Sequence, residues 1–417
     1  MPLTHAFSYT RMEVTLMKCR SYARCLALVA VPLALSMLVG CAKTRKPGGH
    51  MDTPETHYKQ GMKYWDADEI DKAEEEFKLA ISLDDKFAPG YAGLALTTAK
   101  KAQGAEDTNA EEEGFEEAHD LADKAEKLDD DIPEVYIAKA LVITMEKEGK
   151  EPPKKWLDDV EDEYEKAIDV DPENAEAYYR RGYCYKKAYE FSKAADDFRK
   201  VLDLNKGYTA EANKQWELVQ KIERAAPGTD VGRRIALVEK ISRADIAALF
   251  VSEMKIDQLV KKKRPKVYDT GFQAPEDKRE MQVDSVVAKK DVTDIEGHWA
   301  KNFIMDIVEL DIRGLEPYPD HTFHPQELVN RGEYAMMVED VIIAILGDES
   351  LATKHIGSES RFPDVNPSHP AYNAICNAVD KNVMDAEMNG EFKPDASVSG
   401  PDALLVIRNL KELNKIP

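Results

Sequence analysis

The stretch AIDVDPENAEAYYRRG, residues 167–182, decides the fold of this chain. Apolar and small residues recur at intervals of three and four on both sides of Pro172, and this spacing predicts two helices joined by a turn. From Gly182 the next small, aromatic and apolar positions follow at intervals of 12, 4 and 3 residues, and the same intervals follow Gly61. The two sets are Ala194, Phe198 and Val201 in the first case, and Ala73, Phe77 and Ala80 in the second.

The pattern returns with a unit length of 34 residues, as from Gly61 to Ala95. Two middle steps are longer because polar stretches, residues 102–114 and 146–155, extend the connections. The pattern resembles the tetratricopeptide repeat, a helix–turn–helix unit of about 34 residues. We therefore predict an array of four such repeats with a closing helix within residues 55–225.

The resemblance implies a groove that holds a protein or peptide partner, because arrays of this kind stack with a concave face. A plain helical spacer without a ligand is the alternative interpretation. Several side chains suit either a groove or the ordinary core of the repeats, so the sequence assigns no peptide site: Tyr58, Tyr178, Tyr179, Arg181 and Tyr185.

A duplication marks the C-terminal part of the chain. Residues 291–304 read DVTDIEGHWAKNFI, and a Phe-x-Pro loop follows at Phe323. The same features return around a second such loop at Phe392. These stretches resemble S-layer homology modules, which are helix–loop–helix units. The resemblance covers residues 291–346 and, in degenerate form, residues 361–411, while residues 226–290 hold only a half-module and a polar linker.

S-layer homology modules hold envelope proteins to cell-wall polymers, and the resemblance implies a glycan-binding site here. The family carries a Thr-Arg-Ala-Glu box, and the residues around Arg331 stand in its place. An Arg fork suits an acidic group on a sugar, and a Trp face suits the apolar side of the ring. The expected glycan-binding residues are Asp294, Trp299, Asn330, Arg331, Glu333 and Arg243.

Other interpretations of these residues remain open at this point. Asn330 and Glu333 also suit a capping box at a helix start. Trp299 also suits a core position. The third module has Gly400 where the box Arg is expected, so one of the implied grooves lacks its Arg.

The N-terminal segment predicts export. An apolar run of about 14 residues follows basic residues and is shorter than the roughly 20 needed to span a bilayer, so residues 1–40 are interpreted as a signal peptide. The run ends Leu38-Val39-Gly40-Cys41, which resembles the lipobox of bacterial lipoproteins. The resemblance implies a lipidated Cys41 that anchors the chain to a membrane, and Ala42 favours the outer membrane, facing the periplasm. Residues 41–54 predict a flexible tether.

Composition excludes some functions. The chain has 417 residues and a net charge of −22, which argues against nucleic-acid binding. It lacks GxGxxG, P-loop, GxSxG and HExxH signatures, and we predict no catalytic residue, metal or cofactor. The sequence thus predicts a mainly all-α, lipid-anchored cell-envelope scaffold that binds a protein partner and a cell-wall polymer such as peptidoglycan or an associated anionic glycan. An envelope assembly factor, whose C-terminal modules are only a structural platform, is the alternative.

Overall fold

The computed structural model describes residues 46–49, 51–152, 155–263 and 292–413. The predicted signal peptide, Cys41 and most of the polar linker lie outside these residues. Within the described ranges the regular elements are helices, with two isolated β-bridges and no strand. No helix in these ranges is long and apolar enough to cross a membrane. The predicted mainly all-α fold is confirmed.

The first half of the described chain consists of four helix pairs and a single helix that follows them, as predicted for the repeats. A connection of three or four residues joins the two helices of each pair except α5 and α6, where residues 148–156 connect them. Pro54 and Pro133 open two of the helices because their fixed φ suits a first turn. The helices are α1 (Pro54–Asp66), α2 (Ile70–Leu83), α3 (Ala88–Gln103), α4 (Thr108–Leu128), α5 (Pro133–Lys147), α6 (Leu157–Val170), α7 (Ala175–Lys187), α8 (Phe191–Leu204) and α9 (Thr209–Ala225).

Close helix packing explains the small residues of the repeat pattern. The Phe77 ring is fully buried between helices. A Cβ atom on Gly61 would lie 2.5 Å from this ring, and one on Gly93 would lie 2.4 Å from it. Both positions therefore require glycine, because any larger side chain would push the aromatic ring out of the core. A Cβ atom on Gly182 would lie 3.1 Å from the Phe198 ring, a similar but looser contact.

Three helix–turn–helix modules follow the repeats. Their helices are α10 (Asp230–Ile235), α11 (Arg243–Ser252), α12 (Ile256–Lys263), α13 (Lys301–Glu309), α14 (Arg331–Leu346), α15 (Tyr372–Asp380) and α16 (Gly400–Leu413). Module one contains α10 and α11, module two α13 and α14, and module three α15 and α16. Module one therefore has a first helix, α10, that the sequence pattern did not reveal.

A ring of backbone hydrogen bonds joins the three modules just before their second helices. The Ile241 N–H donates to the Val398 carbonyl (2.9 Å), the Val398 N–H to the Val329 carbonyl (3.4 Å), and the Val329 N–H to the Ile241 carbonyl (3.1 Å). All three side chains are buried. Each module thus supplies one donor and one acceptor, and the modules form a closed set in which every member contacts the other two.

The chain divides into two compact units, one up to Ala177 and one from Tyr178. The second unit includes α8 and α9 as well as the three modules. Within it, α9 packs against α16: the Lys221 Nζ lies 2.6 Å from a carboxylate oxygen of Asp402. The domain boundary placed near residue 225 from the sequence remains a prediction.

Candidate functional site

The second helix of every module begins with a side-chain cap. In module two the Asn330 side chain accepts from the Glu333 N–H (2.8 Å), while the Glu333 carboxylate accepts from the Asn330 N–H (3.0 Å). Ser242 and Asp245 form the same reciprocal box in module one. In module three the Ser399 hydroxyl accepts from the Asp402 N–H (3.4 Å) and donates to the Asp402 carboxylate. Asn330 and Glu333 therefore start α14, because these contacts satisfy backbone N–H groups that the helix leaves free.

Arg243, at the start of α11, is buried against the loop of module two. Its three guanidinium nitrogens donate to the carbonyls of Phe323 (2.9 Å), Gly314 (2.6 Å) and Glu316 (3.0 Å). The guanidinium carbon lies 4.7 Å from the centroid of the Phe323 ring, and the residue is 7% exposed. The planar fork is thus used to fix the loop of the next module.

Arg331, at the start of α14, repeats this arrangement against module three. Its Nε donates to the Phe392 carbonyl and an Nη donates to the Asp385 carbonyl, both at 2.9 Å. Its guanidinium carbon also lies 4.7 Å from a ring centroid, here that of Phe392. Arg331 is only half-buried, so part of its side chain faces solvent, in contrast to Arg243.

Asp294 contacts the loop of module two, the same loop that Arg243 contacts. Its two carboxylate oxygens accept from the N–H groups of Phe323 and His324, both at 2.7 Å. Phe323 is therefore held at its N–H by the Asp of its own module and at its carbonyl by the Arg of the preceding module. This double contact fixes the loop that carries the Phe-x-Pro sequence.

Asp364 repeats this contact in module three, where it accepts from the N–H groups of Phe392 (2.9 Å) and Lys393 (2.6 Å). Burial acts to raise the pKa of the Asp364 carboxyl, but these two backbone donors outweigh it, and the pKa lies below its usual range. Asp364-Val365 stands in the second copy of the duplicated pattern where Asp294-Ile295 stands in the first, and this correspondence is the signal by which the contact of Asp364 could have been found.

Trp299 lies on the surface of module two, just before α13. It is 44% exposed, so the interpretation of Trp299 as a core residue is wrong. The guanidinium carbon of Arg234, an exposed residue of α10, lies 3.9 Å from the centroid of the Trp299 ring. A cation at this distance is attracted to the ring face. Sequence reasoning missed Arg234 because α10 is too short to show a helical period.

Gly400 explains why the third box lacks its Arg. A Cβ atom at Gly400 would lie 1.8 Å from the Ile235 carbonyl oxygen, and the Gly400 N–H donates to the Val238 carbonyl (2.9 Å). Module one has a short turn here instead of a long loop with a Phe-x-Pro sequence. The backbone of module one therefore occupies the space that the Arg side chains fill at the other two junctions.

The six predicted glycan-binding residues thus fall at two different junctions. Arg243, Asp294 and Trp299 lie where module one meets module two, and the three box residues around Arg331 lie where module two meets module three. Most of them make structural contacts through backbone groups. Trp299, together with the newly found Arg234, offers both an aromatic face and a cation to a ligand.

Family models match four stretches of the chain. Models of the tetratricopeptide repeat match residues 54–87 and 163–195, and the model of the S-layer homology domain matches residues 291–335 and 361–403. The chain carries tetratricopeptide repeats followed by S-layer homology modules. These are protein-interaction repeats and cell-envelope modules, and both kinds are typically non-catalytic.

Among solved structures, the chain is similar to a thermophilic tetratricopeptide-repeat protein of Thermus thermophilus. The identity is 16%, the TM-score is 0.34, and the match covers 40% of this chain and 81% of the other. No curated protein sequence matches the chain.

Proposed function

We propose that this protein is a lipid-anchored scaffold of the cell envelope. The tetratricopeptide repeats hold a protein partner, and the S-layer homology modules hold a cell-wall polymer, either peptidoglycan or an associated anionic glycan. Lipidated Cys41 ties the chain to the outer membrane, facing the periplasm. The order of the two kinds of repeat supports this arrangement, and the lipobox-like sequence at Cys41 supports the anchor.

The observation that carries the wall-binding half is the exposed pair of Arg234 and Trp299. An indole face packs well against the apolar side of a sugar ring, and a guanidinium pairs with a carboxylate or a pyruvate-type acid. Arg234 offers this fork at the surface, whereas the fork of Arg243 is closed by three backbone carbonyls. Arg331, which is half-buried, supplies a second cation at the other junction.

A structural platform without glycan binding is the second candidate function. The contacts of Arg243 and Arg331 favour it, because both guanidinium groups donate to backbone carbonyls of the next module. Under this alternative the modules serve only to pack against one another and against α9.

Co-sedimentation of the mature protein with isolated cell-wall sacculi separates the two candidates. We expect Trp299→Ala and Arg234→Gln each to weaken binding by roughly tenfold, since a cation–π or charge-assisted contact is worth about 1–2 kcal/mol. The melting temperature should stay unchanged because both side chains are exposed.

Arg233→Gln is the matched control, because it removes the same charge from the neighbouring residue of α10. It should bind sacculi as the wild type does. A wild-type protein that stays in the supernatant would support the platform alternative and contradict wall binding.

A further inference from the structure

Three lysines form a cluster on α7 and α9, within the second unit. Lys186 lies in the last turn of α7 and is only 8% exposed. Its Nζ donates to the Gln215 Oε1 on α9 (2.6 Å) and lies 4.1 Å from the centroid of the Tyr183 ring. The Lys187 Nζ lies 4.9 Å from the same centroid, and Lys214 is an exposed residue of α9. We call Lys186, Lys187 and Lys214 the lysine cluster.

The buried member of the cluster lacks a negative partner. Among the described residues, Lys186 pairs with no carboxylate, and its hydrogen-bond acceptor is the neutral amide of Gln215. A buried ammonium without a nearby anion costs free energy. Burial, followed by the positive charges of Lys187 and Lys214, lowers the pKa of the Lys186 ammonium to about 8. An anion bound beside the cluster would relieve the repulsion among the three ammonium groups.

Another largely buried lysine of the chain is paired in the usual way. The Lys139 side chain, on α5, is 17% exposed, and its Nζ lies 3.0 Å from Asp123 and 2.5 Å from Glu126. Burial acts to lower the pKa of Lys139, but these hydrogen bonds outweigh it, and the pKa is raised. The part of the chain that the structure describes thus supplies two carboxylates to Lys139 and none to Lys186. This contrast indicates that the charge of Lys186 serves a ligand.

The charge distribution along the repeats favours the same position for an anion. Residues 54–177 contain 37 acidic and 15 basic residues, a net charge of −22. Residues 178–225, which hold α8, α9 and most of α7, contain 7 acidic and 11 basic residues, a net charge of +4. An acidic ligand is therefore repelled by the first stretch and attracted by the second.

We propose that the lysine cluster binds an acidic segment of the protein partner, in which an Asp or Glu carboxylate pairs with Lys187 and Lys214 and is further stabilised by the charge of Lys186. This inference rests on the proposed function and deepens it, because it names the chemistry of the partner. The carboxylate binds at the surface, on the exposed Lys214, and does not need to enter the protein interior. Hydrogen bonds between ammonium groups and a carboxylate are charge-assisted and therefore strong.

The position of the cluster favours a peptide over an acidic glycan. Lys186 and Lys187 lie within residues 163–195, which match the tetratricopeptide repeat, and Lys214 lies on the helix that follows. Repeats of this kind bind proteins.

Selection from a library of random twelve-residue peptides displayed on phage tests this inference on the immobilised mature protein. We expect enrichment of peptides that carry Asp or Glu. The affinity of a selected peptide is then measured by fluorescence anisotropy against the wild type and three variants. Lys214→Gln should weaken binding by roughly tenfold or more, because it removes a charge-assisted hydrogen bond. The same peptide with its Asp and Glu residues changed to Asn and Gln should lose affinity to a similar extent.

Lys186→Gln separates a binding role from a structural role. It should weaken peptide binding and leave the melting temperature unchanged or raise it, since it removes a buried charge that has no carboxylate partner. A lower melting temperature with unchanged peptide binding would assign Lys186 a structural role and overturn the inference.

Lys200→Gln is the control for bulk charge, because Lys200 is an exposed residue of α8 outside the cluster. It should leave the affinity within about twofold of the wild type, as expected for one screened surface charge.

Three further outcomes would contradict the inference: no enrichment of acidic residues, equal effects of Lys214→Gln and Lys200→Gln, or no selected peptide at all. Binding of the acidic polysaccharide polygalacturonate that is lost in Lys214→Gln, without any selected peptide, would assign the cluster to a glycan and contradict it as well. Enrichment of peptides without acidic residues would leave the repeats as a partner-binding element. Wall binding is measured separately by sacculus co-sedimentation, so a failure here is distinct from a failure of the scaffold function.

Discussion

At the scale of single residues, the box arginines join neighbouring modules. The first two modules each carry a box Arg that the sequence makes a candidate ligand contact, yet Arg243 and Arg331 both donate to backbone carbonyls of the next module. A buried guanidinium is stable only when its donors are satisfied. The loops at Phe323 and Phe392 present those carbonyls, so the loop and the Arg of the preceding module depend on each other.

Gly400 provides a test of the third junction, where the backbone of module one lies in the place of a box Arg. We expect Gly400→Ala to lower the free energy of unfolding by about 1–3 kcal/mol, the usual range for an overpacked site, because its Cβ would lie 1.8 Å from the Ile235 carbonyl oxygen. Urea denaturation of the mature protein measures the change.

Gly104→Ala is the matched control for this substitution. A Cβ atom there would meet nothing closer than 3.7 Å, and the backbone φ of −92° suits alanine. The control should therefore leave the unfolding midpoint close to that of the wild type. An equal, small change in both variants would show that α16 and the end of α10 are not packed as closely as described.

At the scale of helices, α1 is fixed to its repeat by a histidine that bridges two carboxylates. The His57 Nδ1 lies 2.6 Å from Glu76, a residue of α2, and its Nε2 lies 2.8 Å from Asp52, which precedes α1. Burial acts to lower the pKa of the His57 imidazole, but the hydrogen bonds to Glu76 and Asp52 outweigh it, and the pKa is raised. The two carboxylates thus favour the protonated form of the His57 ring, which could donate to both of them.

The pH dependence of this contact follows from the raised pKa. Its stabilising effect is fully present below the unfolded-state pKa of about 6.5 and is lost as the pH rises through the higher pKa of the folded state. We expect the difference in melting temperature between the wild type and His57→Gln to be largest near pH 5.5 and to shrink by pH 8.5.

Glu76→Gln should show the same trend, because it removes one partner of the same ring. Thermal melts followed by circular dichroism at the two pH values provide the measurement. A difference that grows with pH would contradict the assignment of a protonated His57.

The helices also show what the sequence could predict. The spacing, with the resemblance to the tetratricopeptide repeat, predicted the four helix pairs and α9, because each repeat packs mainly through contacts close in sequence, as between Phe77 and Gly61. The exposure and contacts of the expected glycan-binding residues could not be predicted from spacing. The exposure of Trp299 and the contacts of Arg243 depend on loops from other modules, and α10 is too short to show a period.

At the scale of the whole molecule, the last helix of the repeats depends on the C-terminal modules. Besides the Lys221–Asp402 ion pair, Arg408 of α16 donates to the carbonyl of Arg224 at the end of α9. The change of sequence pattern near residue 226 therefore does not separate α9 from the modules in packing.

A chain that ends at residue 225 tests this packing. We expect its α9 amides to exchange with solvent at least tenfold faster than in the full mature chain, because removing α16 takes away about 1.4 kcal/mol or more of packing. Hydrogen exchange followed by mass spectrometry measures the effect, and the α5 amides in the first unit serve as the internal control. Equal exchange of the α9 amides in both chains would show that α9 is stable without the C-terminal modules.

The ring formed by Ile241, Val329 and Val398 has a consequence for the order of folding. Two of its hydrogen bonds join Ile241 to segments that are synthesised later, and the last of these, at Val398, lies close to the C-terminal end of the described chain. Contacts between segments distant in sequence form slowly, whereas local helix pairs form early. We therefore expect the helix pairs of the repeats to fold first during synthesis, whereas the ring closes only after module three has emerged.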